Sequence, residues 1–343
     1  MTTASLIRSV PLFDGLDAQS LDDVLRIFER VEIAAGGSLT RQGQAADCAY
    51  ILESGRADVV TALPGGGTAR VAQLEAGAVL GEMALLDSGL YSATVLAQEQ
   101  LICHRVARDG FRMLLAQRVP AVFAIQQRIT RTLCQRLRAL NARVAAADAE
   151  DPVVSDLKPV VPVTEGADEP FDVTAFLPVL APFREFSPAN IVLLRAMTTL
   201  VRVHRGERLF AQGGAADHAW IVVRGALELS VMRDARLHRV GILGPGRFCG
   251  ILAMIEEQPH SMQAVAREHA TLLAMDRAAF GRFFNGHDAV ALKLQQAINR
   301  ELLQALGRTN NHMTRLISRA HVRGGAGAAD LRQVLALQDC RSV

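Results

Sequence analysis

The chain has 343 residues and a formal net charge of +2; half of its residues are hydrophobic and 21% are charged. That length suits two domains of ordinary size, each able to bury a core. The near-neutral balance excludes a polybasic surface built for nucleic acid or anionic membrane.

Residues 1–13 carry no signal-peptide pattern, and no window reaches the roughly eighteen uncharged apolar residues of a membrane span. A cytoplasmic protein is expected. A short helix is expected over residues 18–29. Short strands with glycine turns follow, a pattern of small β-sandwiches and rolls. A long helix is expected over residues 119–147, with Val122, Ile125, Ile129, Leu133 and Leu140 on one face; it holds five arginines and no acid. Residues 148–172 then carry eight acidic side chains, one lysine and four prolines, which is a linker composition. Folding of this acidic stretch back on the basic helix is the sharper reading, and two solvated surfaces of opposite sign is the preferred one. A second short helix is expected over residues 188–199, then more strands. A second long helix is expected over residues 289–318, seamed by Ile298, Leu302, Leu306, Met313 and Ile317.

The chain repeats itself. Arg41-Gln-Gly-Gln-Ala-Ala-Asp-Cys-Ala-Tyr50 matches Ala211-Gln-Gly-Gly-Ala-Ala-Asp-His-Ala-Trp220 at an offset of 170. Gly81, Ser92 and Phe111 match Gly250, Ser261 and Phe280 at an offset of 169. A duplicated domain follows: residues 1–147 as the first copy, 148–174 as linker, 175–320 as the second copy and 321–343 as a tail. The five cysteines, at 48, 103, 134, 249 and 340, are too scattered for a metal knuckle or a redox pair, and reduced thiols are expected.

The segment Gly81-Glu-Met-Ala-Leu-Leu-Asp-Ser-Gly-Leu-Tyr-Ser-Ala-Thr-Val95 resembles the phosphate-binding cassette of cyclic-nucleotide-binding domains, found in catabolite-activator-type transcription factors, protein kinase A regulatory subunits and gated channels. The resemblance implies an α+β fold of two tandem jelly-roll-like β-rolls, each with flanking helices and a long C-terminal helix. It implies cyclic AMP or cyclic GMP as ligand of the first copy, with no cofactor and no metal. Glu82, at the start of a short helix, would accept from the ribose hydroxyl. Backbone amides from Met83 through Ala84 to Leu85 would face the phosphate, Gly81 would make the turn before them, and Ser92 would donate one more bond. Thr130 and Thr132 on the long helix are candidates to reach the base.

The family's phosphate arginine is Tyr91 here, and the proline before it is Leu90. A phenol donates one hydrogen bond and neutralises nothing. Charge-assisted hydrogen bonds contribute roughly 1.5–3 kcal/mol, so about ten- to a hundred-fold in affinity is at stake. The second cassette departs further. Ile251 follows Gly250 in the glutamate position, and His260 stands before Ser261 in the arginine position. A degenerate second site is expected.

After Arg319 only 24 residues remain, too few for a helix-turn-helix domain, so direct DNA binding is not expected. No Arg-Arg pair of the kind that inhibits a kinase is present, and no catalytic fingerprint stands out, so no enzyme is expected. Two readings follow. One is a regulatory module that binds a cyclic nucleotide or a related phosphate ligand in its first copy and signals through its long helices to an unknown effector. The other is a ligand-free scaffold acting through protein–protein contacts. In either, the helix seams could pair within the chain or across a homodimer.

Overall fold

The computed structural model describes residues 3–62, 68–147, 160, 172–233 and 236–324. Most of the acidic linker, the proposed fold-back of that linker, and the end of the tail with Cys340 lie outside the described residues. Residues 1–132 belong to one compact unit and residues 133–316 form another.

Each unit holds two four-stranded antiparallel sheets. In the first, Phe28–Ile33, Leu101–Ala107, Cys48–Ser54 and Val79–Leu80 lie side by side in that order. Ser38–Thr40, Thr94–Ala97, Ala57–Ala62 and Thr68–Leu74 form the other. The second unit repeats the order with Thr199–Val203, Ala270–Asp276, His218–Arg224 and Phe248–Cys249, and with Arg208–Phe210, Gln263–Ala266, Leu227–Arg233 and Arg236–Leu243. These are β-rolls in tandem. Strand Ala57–Ala62 shows why they close: its residues alternate between buried and less buried, so one face is apolar and must be covered. Leu52, Val59, Leu80, Val95 and Leu101 fill the first roll. Phe210, Trp220, Val222, Leu227 and Leu272 fill the second. Burying each such side chain contributes about 1.5–3 kcal/mol.

The short entry helices stop earlier than their sequence pattern suggests. They run over Ala18–Leu25 and Pro188–Ala196, and strands open at Phe28 and Thr199. The reason is tertiary. Phe28–Ile33 pairs along its whole length with Leu101–Ala107, and Thr199–Val203 with Ala270–Asp276. Sheet hydrogen bonds there outweigh continuation of a helix. Both helices start at equivalent side-chain caps. Asp17 accepts from the Ser20 amide at 2.8 Å, and Ser187 accepts from the Asn190 amide at 3.3 Å.

The long helices run over Pro120–Ala147 and Ala289–Gly324. Val122, Ile125, Ile129, Leu133 and Leu140 are buried, as are Ile298, Leu302 and Met313. From Leu133 onward the first long helix is part of the second unit. There Thr309 donates to the Asn141 Oδ1 at 3.1 Å, so the two long helices touch within that unit. Cys48, Cys103, Cys134 and Cys249 are buried and form no disulfide. No helix among the described residues is long and apolar enough to cross a membrane.

Candidate functional site

In both units the glutamine-glycine motif is tied to the cassette in the same way. Gln42 Oε1 accepts from the Ala62 amide at 2.8 Å, and Gln212 Oε1 accepts from the Met232 amide at 2.6 Å. The Gly43 amide donates to the Tyr91 carbonyl at 2.9 Å, and the Gly213 amide donates to the His260 carbonyl at 2.8 Å. Tyr91 and His260 return the bond through their own amides, to the carbonyls of Gln44 and Gly214. The glutamine-glycine pair is therefore a backbone clamp, a role the sequence pattern alone did not reveal.

The first cassette turns at Gly81, whose φ is +72°. A Cβ there would lie 2.8 Å from the Cys48 carbonyl oxygen, so only glycine fits. The turn delivers Glu82 to the start of the 3-10 helix Glu82–Leu85, with Glu82 and Ala84 buried and Met83 half-buried. Tyr91 lies against Gly81 and its hydroxyl donates to the Cys48 carbonyl at 3.0 Å. Burial pushes the phenol up to about 12, so it stays protonated and remains a donor already in use. Ser92 is exposed beside it, and Leu90 stands 68% exposed. The Arg108 guanidinium holds the far end of the cassette, donating to the carbonyls of Ala46 at 2.9 Å and Asp87 at 3.3 Å. Thr130 is buried on the long helix and donates to the Gln126 carbonyl four residues back, at 2.8 Å. Thr132 is half-buried two residues further along. Gly81 and Tyr91 are thus brought together, with Glu82, Met83 and Ala84 following the one and Ser92 the other along the chain.

The second cassette has the same turn and different chemistry. Gly250 has φ +79°, and a Cβ there would meet the Trp220 ring at 2.9 Å. It opens the helix Ile251–Glu256, whose first side chain is apolar and buried. His260 is buried and stacked on Phe210, with ring centroids 3.8 Å apart and an interplanar angle of 15°. Burial, with Arg138 adding to it and Asp217 opposing, holds the imidazole down to about 4. At neutral pH it is an uncharged ring. Arg138, from the first long helix, forms an ion pair with the buried Glu256 and donates to the Pro259 carbonyl at 3.1 Å.

Beneath this cassette lies a cavity of about 250 Å³. Its lining comes entirely from residues 137–312 of the second unit and includes Phe210, Leu229, Ile251, Met262 and Leu302. Sequence reasoning missed it, and it also missed Glu301. That carboxylate is buried on the second long helix and pairs with Arg247 at 2.8 Å and Arg308 at 2.9 Å. Burial pushes it up to about 7 against the pull of Arg247. An acid within an apolar helical seam was the available signal. Among the described residues no group of three His, Cys, Asp or Glu side chains could hold a metal ion.

A family model described as the cyclic nucleotide-binding domain matches residues 30–118 and again residues 200–287. The cAMP-dependent protein kinase regulatory subunit of Blastocladiella emersonii is 34% identical over 104 residues, 30% of this chain and 26% of that protein. The cyclic AMP receptor protein of Thermus thermophilus is 30% identical over 132 residues, 38% of this chain and 59% of that protein. The type II regulatory subunit of Drosophila melanogaster aligns over 89% of this chain and 67% of its own length at 22% identity. The fungal regulatory subunits are thus matched over about a quarter of their length. Among solved structures, the regulatory domain of Toxoplasma gondii PKA with cAMP covers 85% of this chain and 93% of its own, at 19% identity and a TM-score of 0.32. With the family model matched in both rolls, the chain belongs to the cyclic nucleotide-binding domain family and carries two copies in tandem.

Proposed function

We propose that this chain is a regulatory, non-catalytic protein of the cytoplasm whose first copy binds a cyclic nucleotide, cyclic AMP or cyclic GMP. The observation that carries the reading is the placement of Glu82. The left-handed turn at Gly81 sets a buried carboxylate at the start of a short helix, in the cassette that also carries the exposed Ser92. A carboxylate so placed accepts from a ribose hydroxyl at little ordering cost, because the turn is already formed. Relatives whose names specify cAMP-dependent regulation or cAMP reception support the ligand class. Gly81, Met83, Ala84 and Tyr91 complete the proposed contact surface, and Thr130 and Thr132 lie on the helix proposed to close over it. The signal would pass along Pro120–Ala147 to an effector protein or a second copy of the chain, provided that the ligand prefers one helix arrangement.

Calorimetric titration of the purified chain with both nucleotides tests this, with Glu82→Ala as control. Saturable binding to the wild type and its loss in the variant is the expected result. A second reading is a ligand-free scaffold, and one observation favours it: the Tyr91 hydroxyl is already bonded to Cys48, where a phosphate partner is needed. Absence of both heat and a thermal shift with either nucleotide would favour that second reading, or a different ligand, over the first.

A further inference from the structure

The cavity of the second unit is chemically unlike a nucleotide site. Where the first copy has Glu82, it has the buried Ile251. Where the family places an arginine, it has a neutral imidazole stacked on Phe210. Arg138 pairs with Glu256, and Arg247 and Arg308 share the one carboxylate of Glu301; Glu301 and Arg308 stand at one end of a lining that is otherwise mostly apolar. A charged phosphate would find neither the ribose-binding carboxylate nor an arginine at the family's position, and would lose its hydration. Ile242, at the cavity, leaves a 53% exposed aliphatic side chain facing outward. Ser261 brings a hydroxyl side chain to the cavity lining. In size the cavity exceeds the roughly 150 Å³ apolar void that accommodates benzene.

We propose that the second copy is a receptor site for an uncharged, predominantly hydrocarbon small molecule of about the bulk of a bicyclic aromatic, with one hydrogen-bonding group that meets Ser261. Duplication has then left one roll for a phosphate ligand and converted the other to an apolar one. The site is separate from Glu82, so it stands or falls independently of the nucleotide titration.

The probe is N-phenyl-1-naphthylamine, an uncharged dye that brightens in apolar surroundings, added to the full chain. The chain's only tryptophan, Trp220, stacks on Phe210 at the cavity wall, 5.2 Å between centroids, and serves as energy donor. Two variants fill the space. A side chain at Gly241 would meet nothing within 4 Å, so Gly241→Val adds bulk without strain. Ala305→Phe fills from the helix side. The expected result is saturable dye binding with quenching of Trp220, displacement by 1-naphthol and none by an equal concentration of cyclic AMP. Each folded filling variant should bind at least about tenfold more weakly, while Glu82→Ala binds like the wild type. Dye brightening without Trp220 quenching in the wild type would overturn the proposal, which keeps it testable even if both variants fail to fold. So would undiminished binding in a folded filling variant, or displacement by cyclic AMP.

Discussion

Tyr91 and His260 occupy the same position of the repeat, and neither is the arginine of the family. Tyr91→Arg restores a guanidinium beside Gly81, and an affinity gain of about ten- to a hundred-fold for cyclic AMP is expected by calorimetry. An unchanged affinity would mean that the loop geometry, and not the missing charge, limits binding. Gly81→Ala should destabilise the first unit by about 1–3 kcal/mol in a denaturant melt, from the strained φ and the contact with the Cys48 carbonyl. His260 gives a pH signature. Its imidazole is held at about 4 in the folded chain, while an unfolded histidine takes its proton near about 6.5. The stability due to the neutral ring is complete above the unfolded value and drains away as pH falls from about 6.5 toward about 4. His260→Phe keeps the stack on Phe210 and has no proton to take up. Its thermal midpoint should therefore fall less than that of the wild type over the same interval, and parallel curves would remove His260 as the cause.

At the scale of elements, the helix Ala289–Gly324 is fastened to its roll by Glu301. Arg247 precedes the strand Phe248–Cys249 and reaches both Glu301 and Gln304, the latter at 2.9 Å. Arg247→Ala leaves a buried carboxylate with only the half-exposed Arg308, and a loss of about 2–4 kcal/mol is expected from chemical denaturation. A loss below about 0.5 kcal/mol would place the fastening in apolar contacts alone. These elements were legible in the sequence to different degrees. The long helices could be read closely because apolar residues recur at helical spacing over many turns. The ends of the short helices could not, because strands only become strands when a partner pairs with them, and for Phe28 and Thr199 that partner is the distant Val106 and Ala274. Gln42 and Gln212 stood out as a repeated motif, yet their use as backbone acceptors needs the strands Ala57–Ala62 and Leu227–Arg233 to be in place.

For the whole molecule, the doubled roll was readable because the two copies preserve the residues that shape the backbone: Gly81 and Gly250 at the turn, Gly43 and Gly213 at the clamp. The turn of the first cassette was readable for the same reason, since Gly81 and the residues after it lie in one short stretch of sequence. The cavity of the second unit was not, because its walls come from stretches between Leu137 and His312 that meet only on folding. Apolar spacing tells which helix face is covered and is silent on whether the covering side chains leave a void. The two units also differ in their chromophores. Both tyrosines, Tyr50 and Tyr91, lie in the first unit, and the single tryptophan, Trp220, packs against Gly250 in the second. Selective excitation of tryptophan therefore follows denaturation of one roll, while far-ultraviolet circular dichroism follows both. If the two curves superimpose, the rolls melt as a single cooperative block; if they separate, the gap between their midpoints measures how much stability each roll owns by itself.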